Sequence, residues 1–173
     1  MLRDSFAFLD GFFRWLRYME IKTFSASYVS TTFSELSRTY QNLVEEAKNA
    51  SMSSYSPYSK FSVGAAVCLK NGLVFSASNQ ENVSYPEGIC AERNVLFYAK
   101  SKYPDIPITS MAIAARDKHG FTDFPVSPCG ACRQVILETI LRDNIDFNII
   151  LYGERETLIV PQASMLLPLN FHM

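Results

Sequence analysis

Three cysteines and one glutamate carry the strongest chemical signal in this chain. Cys-Ala-Glu stands at 90–92 and Pro-Cys-Gly-Ala-Cys at 128–132. Structural zinc takes four protein ligands, whereas three leave a position for water, so three thiolates with a carboxylate close by fit a catalytic zinc site. Cys90, Cys129 and Cys132 are the candidate metal ligands and Glu92 the candidate proton carrier. Each cysteine is expected near a helix start, where unpaired N–H groups and the helix dipole favour negative charge and lower a thiol pKa. Three thiolates make the metal electron-rich and its water less acidic; Arg93, beside Glu92, can offset this by donating to a thiolate.

Taken alone, a CxxC also fits a redox pair or half a structural zinc knuckle, with Glu92 merely capping a helix. The added Cys-Ala-Glu and the preceding Pro128 favour the catalytic reading. Cys68 has no partner at metal spacing and reads as a core residue. His119 and His172 fill no slot the zinc needs.

The elements that must position these groups follow from periodicity. An extended arm or short strand is expected over 20–29. A helix follows Ser34, with Leu36, Tyr40, Leu43, Val44 and Ala47 on one face, ending near Ser51. A Ser-rich loop then leads into the apolar run VGAAVCL, and Asn71-Gly72 predicts a hairpin with a two-residue connection to LVFSASN. Helices are expected over 90–102 and 129–141, strands over 108–115, 147–152 and 158–160, and a loop over DKHGFTDFPVSP. That order makes an α/β layered fold.

Composition narrows the partners. The 173 residues are 48% hydrophobic and 13% aromatic, enough for one cored domain without disulfides. A net charge of −1 with no Lys/Arg run argues against nucleic acid and against an anionic membrane surface. Four unevenly placed cysteines and no secretion signal point to a reduced, cytoplasmic setting. The first residues are aromatic-rich but broken by charges, so they predict no membrane span. On a helical wheel Phe6, Leu9, Phe12, Phe13 and Leu16 oppose Arg3, Asp10, Arg14 and Arg17, so either an amphipathic helix forms there or translation starts at Met19. Residues 1–35 are set apart as an N-terminal extension and 36–173 as the catalytic domain.

With SPYSKFSVGAA, NQEN, CAER, PCGACRQV and LLPLNF occurring in this order, residues 40–171 resemble the small homotetrameric zinc-dependent cytidine deaminases. The resemblance implies a three-layer α/β/α fold with a mixed sheet of about five strands. It implies deamination of free cytidine and deoxycytidine in pyrimidine salvage. Zinc-activated water attacks C4 while Glu92 relays protons to N3 and to the departing amine. It also implies that Asn79 and Glu81 bind the ribose 3′-hydroxyl and that Phe61 lies against the pyrimidine. Phe171 would reach a neighbouring subunit's site, with Tyr85 near a subunit contact. A carboxylate at Glu81 suits a free hydroxyl and repels a 3′-phosphate, which favours nucleosides over polynucleotides.

The chain departs from the family pattern in its first 35 or so residues and at Glu87, which adds a charge to the ring-binding loop. Three other readings stay open: a deaminase for another cytosine-bearing molecule such as blasticidin S, a structural-zinc binding module, and a nucleic-acid editor.

Overall fold

The computed structural model describes Glu20 and residues 22–171. The amphipathic helix and candidate start in the first nineteen residues, and His172, lie outside the described residues.

Among the described residues seven strands form one mixed sheet: β1 (Val29–Thr31), β2 (Ser62–Leu69), β3 (Val74–Ser78), β4 (Ile108–Asp117), β5 (Gly120–Phe121), β6 (Asn148–Tyr152) and β7 (Thr157–Val160). Their order is β1-β7-β6-β4-β2-β3, with β5 paired to β4. Only β4 and β6 run parallel. The sheet is therefore larger than the expected five strands. The two additions are short: β1 spans three residues at the β7 edge, and β5 closes two residues of the predicted loop back onto β4.

Alternation along the central strands decides what each face packs against. Ala65, Val67, Met111, Ile113, Ile149 and Leu151 share one core with helices α2 (Ala91–Lys102) and α3 (Gly130–Asp143), through Val95, Leu96, Ala99, Ile136 and Ile140. Ala66, Ala112, Ala114, Ile150 and Tyr152 point the other way, onto Leu43, Val44 and Ala47 of α1 (Arg38–Ser51). Strands covered on both faces read as continuous apolar runs, which explains VGAAVCL and MAIAA. The result is the three-layer α/β/α arrangement. On the α1 side the strand residues are mostly small, so the helix backbone approaches closely. A methyl group at Gly64 of β2 would lie 1.9 Å from the Ala47 carbonyl oxygen and 2.6 Å from the Ser51 nitrogen of α1.

Two boundaries shift from expectation. Phe33–Glu35 forms a 3₁₀ turn with a Thr32/Glu35 capping box, so α1 begins at Arg38, with Ser37 accepting a hydrogen bond from Tyr40 N–H at its start. The β2–β3 hairpin turns through three residues rather than two. Gly72 N–H donates to the Leu69 carbonyl, Leu69 N–H donates to the Leu73 carbonyl, and Gly72 takes φ 85°, the left-handed conformation that ends such a turn. Among the described residues no helix is long and apolar enough to cross a membrane.

Candidate active site

Helices α2 and α3 pack side by side on one face of the sheet and start at the same place. Cys90 caps α2, Cys129 caps α3, and Cys132 lies in the first turn of α3. Neither cap side chain makes a capping hydrogen bond to the backbone of its helix, which leaves both thiols for other work. The three sulfurs all lie within 4.8 Å of one another, with Cys90 Sγ 3.9 Å from Cys129 Sγ and Cys129 Sγ 3.4 Å from Cys132 Sγ.

The site is built to hold negative charge. The Cys90 pKa falls to about 5 because the Cys132 thiol donates to it, outweighing burial, with Arg93 and Cys129 adding to the effect. Cys132 is pushed up in turn, as the donor to Cys90 and through its burial. Three soft donors at two converging helix N-termini suit zinc. Arg93 hydrogen-bonds Cys90 and donates from a terminal nitrogen to the Gly88 carbonyl at 3.5 Å, while its buried Nε has no partner among the described residues.

Glu92, on the first turn of α2, is only 5% exposed. Burial raises its pKa and the charge on Cys90 adds to that, while a hydrogen bond with Cys132 opposes it. A carboxyl group so placed gains and loses a proton more readily near neutral pH than an exposed glutamate does.

A cleft of about 590 Å³ opens beside these groups, lined by Cys90 and Arg93, by Asn79, Gln80, Glu81 and Asn82, by Tyr85, Gly88 and Ile89, and by Tyr58 and Ser59. Three of these were named from the sequence as ligand or substrate contacts, Cys90, Asn79 and Glu81, and Arg93 was named as a donor to a thiolate. Glu81 accepts from the backbone N–H groups of Tyr58 at 2.9 Å and Ser59 at 3.3 Å. The Ser59 hydroxyl, against a smaller opposing effect of burial, holds the Glu81 carboxyl below its usual pKa, helped by those amides and by Lys60. Phe61 and Phe171 do not line the cleft of the single chain. Phe61 is half-buried just before β2, next to Asn79, whose Nδ2 donates to its carbonyl at 3.0 Å. Phe171 is 72% exposed, its carbonyl accepting from Gln134 Nε2 at 3.0 Å. Tyr58, Ser59, Gln80 and Ile89 were not anticipated. Their signal was the chain's own pairing, since the 55–59 loop bridges to Gln80 and Gln80 to Ile89.

Three cysteines gathered at metal-binding distance, a buried carboxyl group beside them and a cleft at Cys90 define a zinc-dependent hydrolase. The comparisons narrow this. The family model for the cytidine and deoxycytidylate deaminase zinc-binding region matches residues 37–145, which include all three cysteines and Glu92, and the chain belongs to that family. It is similar to the cytidine deaminase of Halalkalibacterium halodurans, at 45% identity over 98 residues, 57% of this chain and 70% of that protein. The cytidine deaminase of Sporosarcina psychrophila is 43% identical over the same length, 57% of this chain and 68% of its own. Among solved structures, the cytidine deaminase from Burkholderia pseudomallei matches with a TM-score of 0.66 at 36% identity, covering 76% of this chain and 98% of that one.

Proposed function

We propose that this chain hydrolyses free cytidine and deoxycytidine to uridine and deoxyuridine, releasing ammonia. The observation that carries this reading is the burial of Glu92 against the three-cysteine cluster, whose Cys90 lines a cleft shared with Asn79 and Glu81. Cys90, Cys129 and Cys132 would hold zinc, which supplies Lewis-acid activation of water at neutral pH. Glu92 takes one proton from the attacking water and passes it to N3 of the ring as the C–O bond forms at C4. It then takes the remaining proton of that C4 hydroxyl and delivers it to the amine, which leaves as ammonia as the C4–N bond breaks and the carbonyl forms. Arg93 steadies Cys90 by donating to its thiolate. Asn79 and Glu81 engage the 3′-hydroxyl, and Phe61 packs near the pyrimidine.

The catalytic domain is assigned to residues 36–173. A homotetramer in which Phe171 enters a neighbour's site accounts for that ring being exposed in the single chain. The three free thiols of the metal site suit a reducing, cytoplasmic compartment, and the reaction suits pyrimidine salvage.

The test follows the ultraviolet change of cytidine with wild type beside Glu92→Gln at matched zinc content. Conversion by wild type is expected, with a loss of about 10²–10⁴-fold in the variant. A folded, zinc-loaded wild type that leaves cytidine untouched but converts another cytosine-bearing molecule would overturn the substrate assignment. Loss of zinc from Glu92→Gln would point to a structural metal.

A further inference from the structure

Ser54 has no place in the chemistry above, yet its hydroxyl donates to Asn79 Oδ1 at 2.6 Å. The same oxygen accepts from Val63 N–H at 2.8 Å, and Asn79 Nδ2 donates to the Phe61 carbonyl at 3.0 Å. An amide oxygen has two lone pairs and an amide nitrogen two hydrogens. Both lone pairs of Asn79 are therefore in use and one N–H remains.

Val63 and Phe61, through their backbones, already decide which way the amide faces. Ser54 adds saturation of the oxygen and a further anchor on the side chain. Opposite in role stands Glu81, a carboxylate that can only accept. The chain brings these groups together by pairing backbone on backbone: Tyr55 N–H donates to the Asn79 carbonyl at 3.2 Å, and Glu81 N–H to the Tyr55 carbonyl at 2.8 Å.

We propose that Ser54 is a positioning residue for substrate recognition. By filling the last lone pair of Asn79 Oδ1 it makes Asn79 a pure donor alongside the pure acceptor Glu81, a pair that selects a group able to accept and donate at once, a sugar hydroxyl. This rests on Asn79 and Glu81 being the 3′-hydroxyl contacts. Without the Ser54 hydroxyl, the oxygen regains a lone pair for water or for the substrate, the amide is held less firmly, and the selection weakens.

The experiment compares kcat/KM for cytidine and for 3′-deoxycytidine in wild type and Ser54→Ala. The ratio of the two substrates is read in one protein sample, so it does not depend on the fraction folded. Ser54→Ala is expected to lower kcat/KM for cytidine about three- to tenfold, the worth of one hydrogen bond, and to leave 3′-deoxycytidine within about twofold. An equal fall on both substrates, or no fall on cytidine, would overturn the role of Ser54. A wild type that turns over both substrates equally well would instead remove Asn79 and Glu81 as hydroxyl contacts, and the proposal with them.

Discussion

Lys100 Nζ lies 2.6 Å from Asp143 Oδ1, and the two side chains are only 6% and 5% exposed. The pair joins the last turns of α2 and α3, the helices whose first turns carry the cysteines. Lys100 Nζ also donates to the Ile106 carbonyl at 3.0 Å, and Asp143 Oδ2 accepts from Ile108 N–H at 3.3 Å, so the charges are paired and hydrogen-bonded as burial requires. Removing one partner leaves an uncompensated buried charge. Lys100→Met or Asp143→Leu should each destabilise by about 3–5 kcal/mol, and the double variant should recover much of the loss. Chemical denaturation of the four proteins measures this; additive losses would show that the two side chains act separately.

Ligand removal should couple metal and fold. Cys129→Ala and Cys132→Ala are each expected to lose zinc and to melt at lower temperature, because metal-binding free energy is folding free energy. Wild type stripped by a chelator should show the same direction of change. Metal analysis beside a melting curve decides it, and full zinc occupancy in either variant would remove that cysteine from the ligand set.

The Glu81 carboxyl titrates below the 4.5 of an ordinary glutamate. A depressed folded pKa contributes stability that is present above the unfolded value and lost as pH falls through the folded one. Wild type should therefore be more stable than Glu81→Gln at neutral pH, with the gap closing only below pH 4.5. Thermal melts of the two proteins across the acid range test the sign. A gap that widens on acidification would contradict it.

Gly64→Ala should destabilise by about 1–3 kcal/mol, since the atoms a methyl group meets are helix backbone and not flexible side chain. A melting temperature equal to that of wild type would show that α1 can move away from the sheet at little cost.

Much of this architecture was legible in the sequence because the cues were local. Cys90 and Cys129 each stand one residue before their helix, and the continuous apolar runs of β2 and β4 marked buried strands. Hidden features depended on contacts between distant segments. β5 is two residues long and exists only through β4, while Gly120 within it takes φ 131°. Ser54 is one serine among several in SMSSYS, and nothing local distinguishes it from Ser53. Its partner lies 25 residues away, reached because the loop after α1 pairs with the strand exit at Asn79. Phe61 and Phe171 were named as substrate contacts, yet a single chain leaves both away from the cleft lining.

The bare backbone at Gly64 reaches further than packing. It lets α1 settle against the sheet, and the Ser51 nitrogen that an added Cβ would meet lies three residues before Ser54. The depth at which that helix seats thus sets where the serine hydroxyl arrives beside Asn79. On the proposed role of Ser54, a substitution on the face of the sheet opposite the metal ligands would retune which sugar is accepted while leaving the chemistry at Glu92 in place.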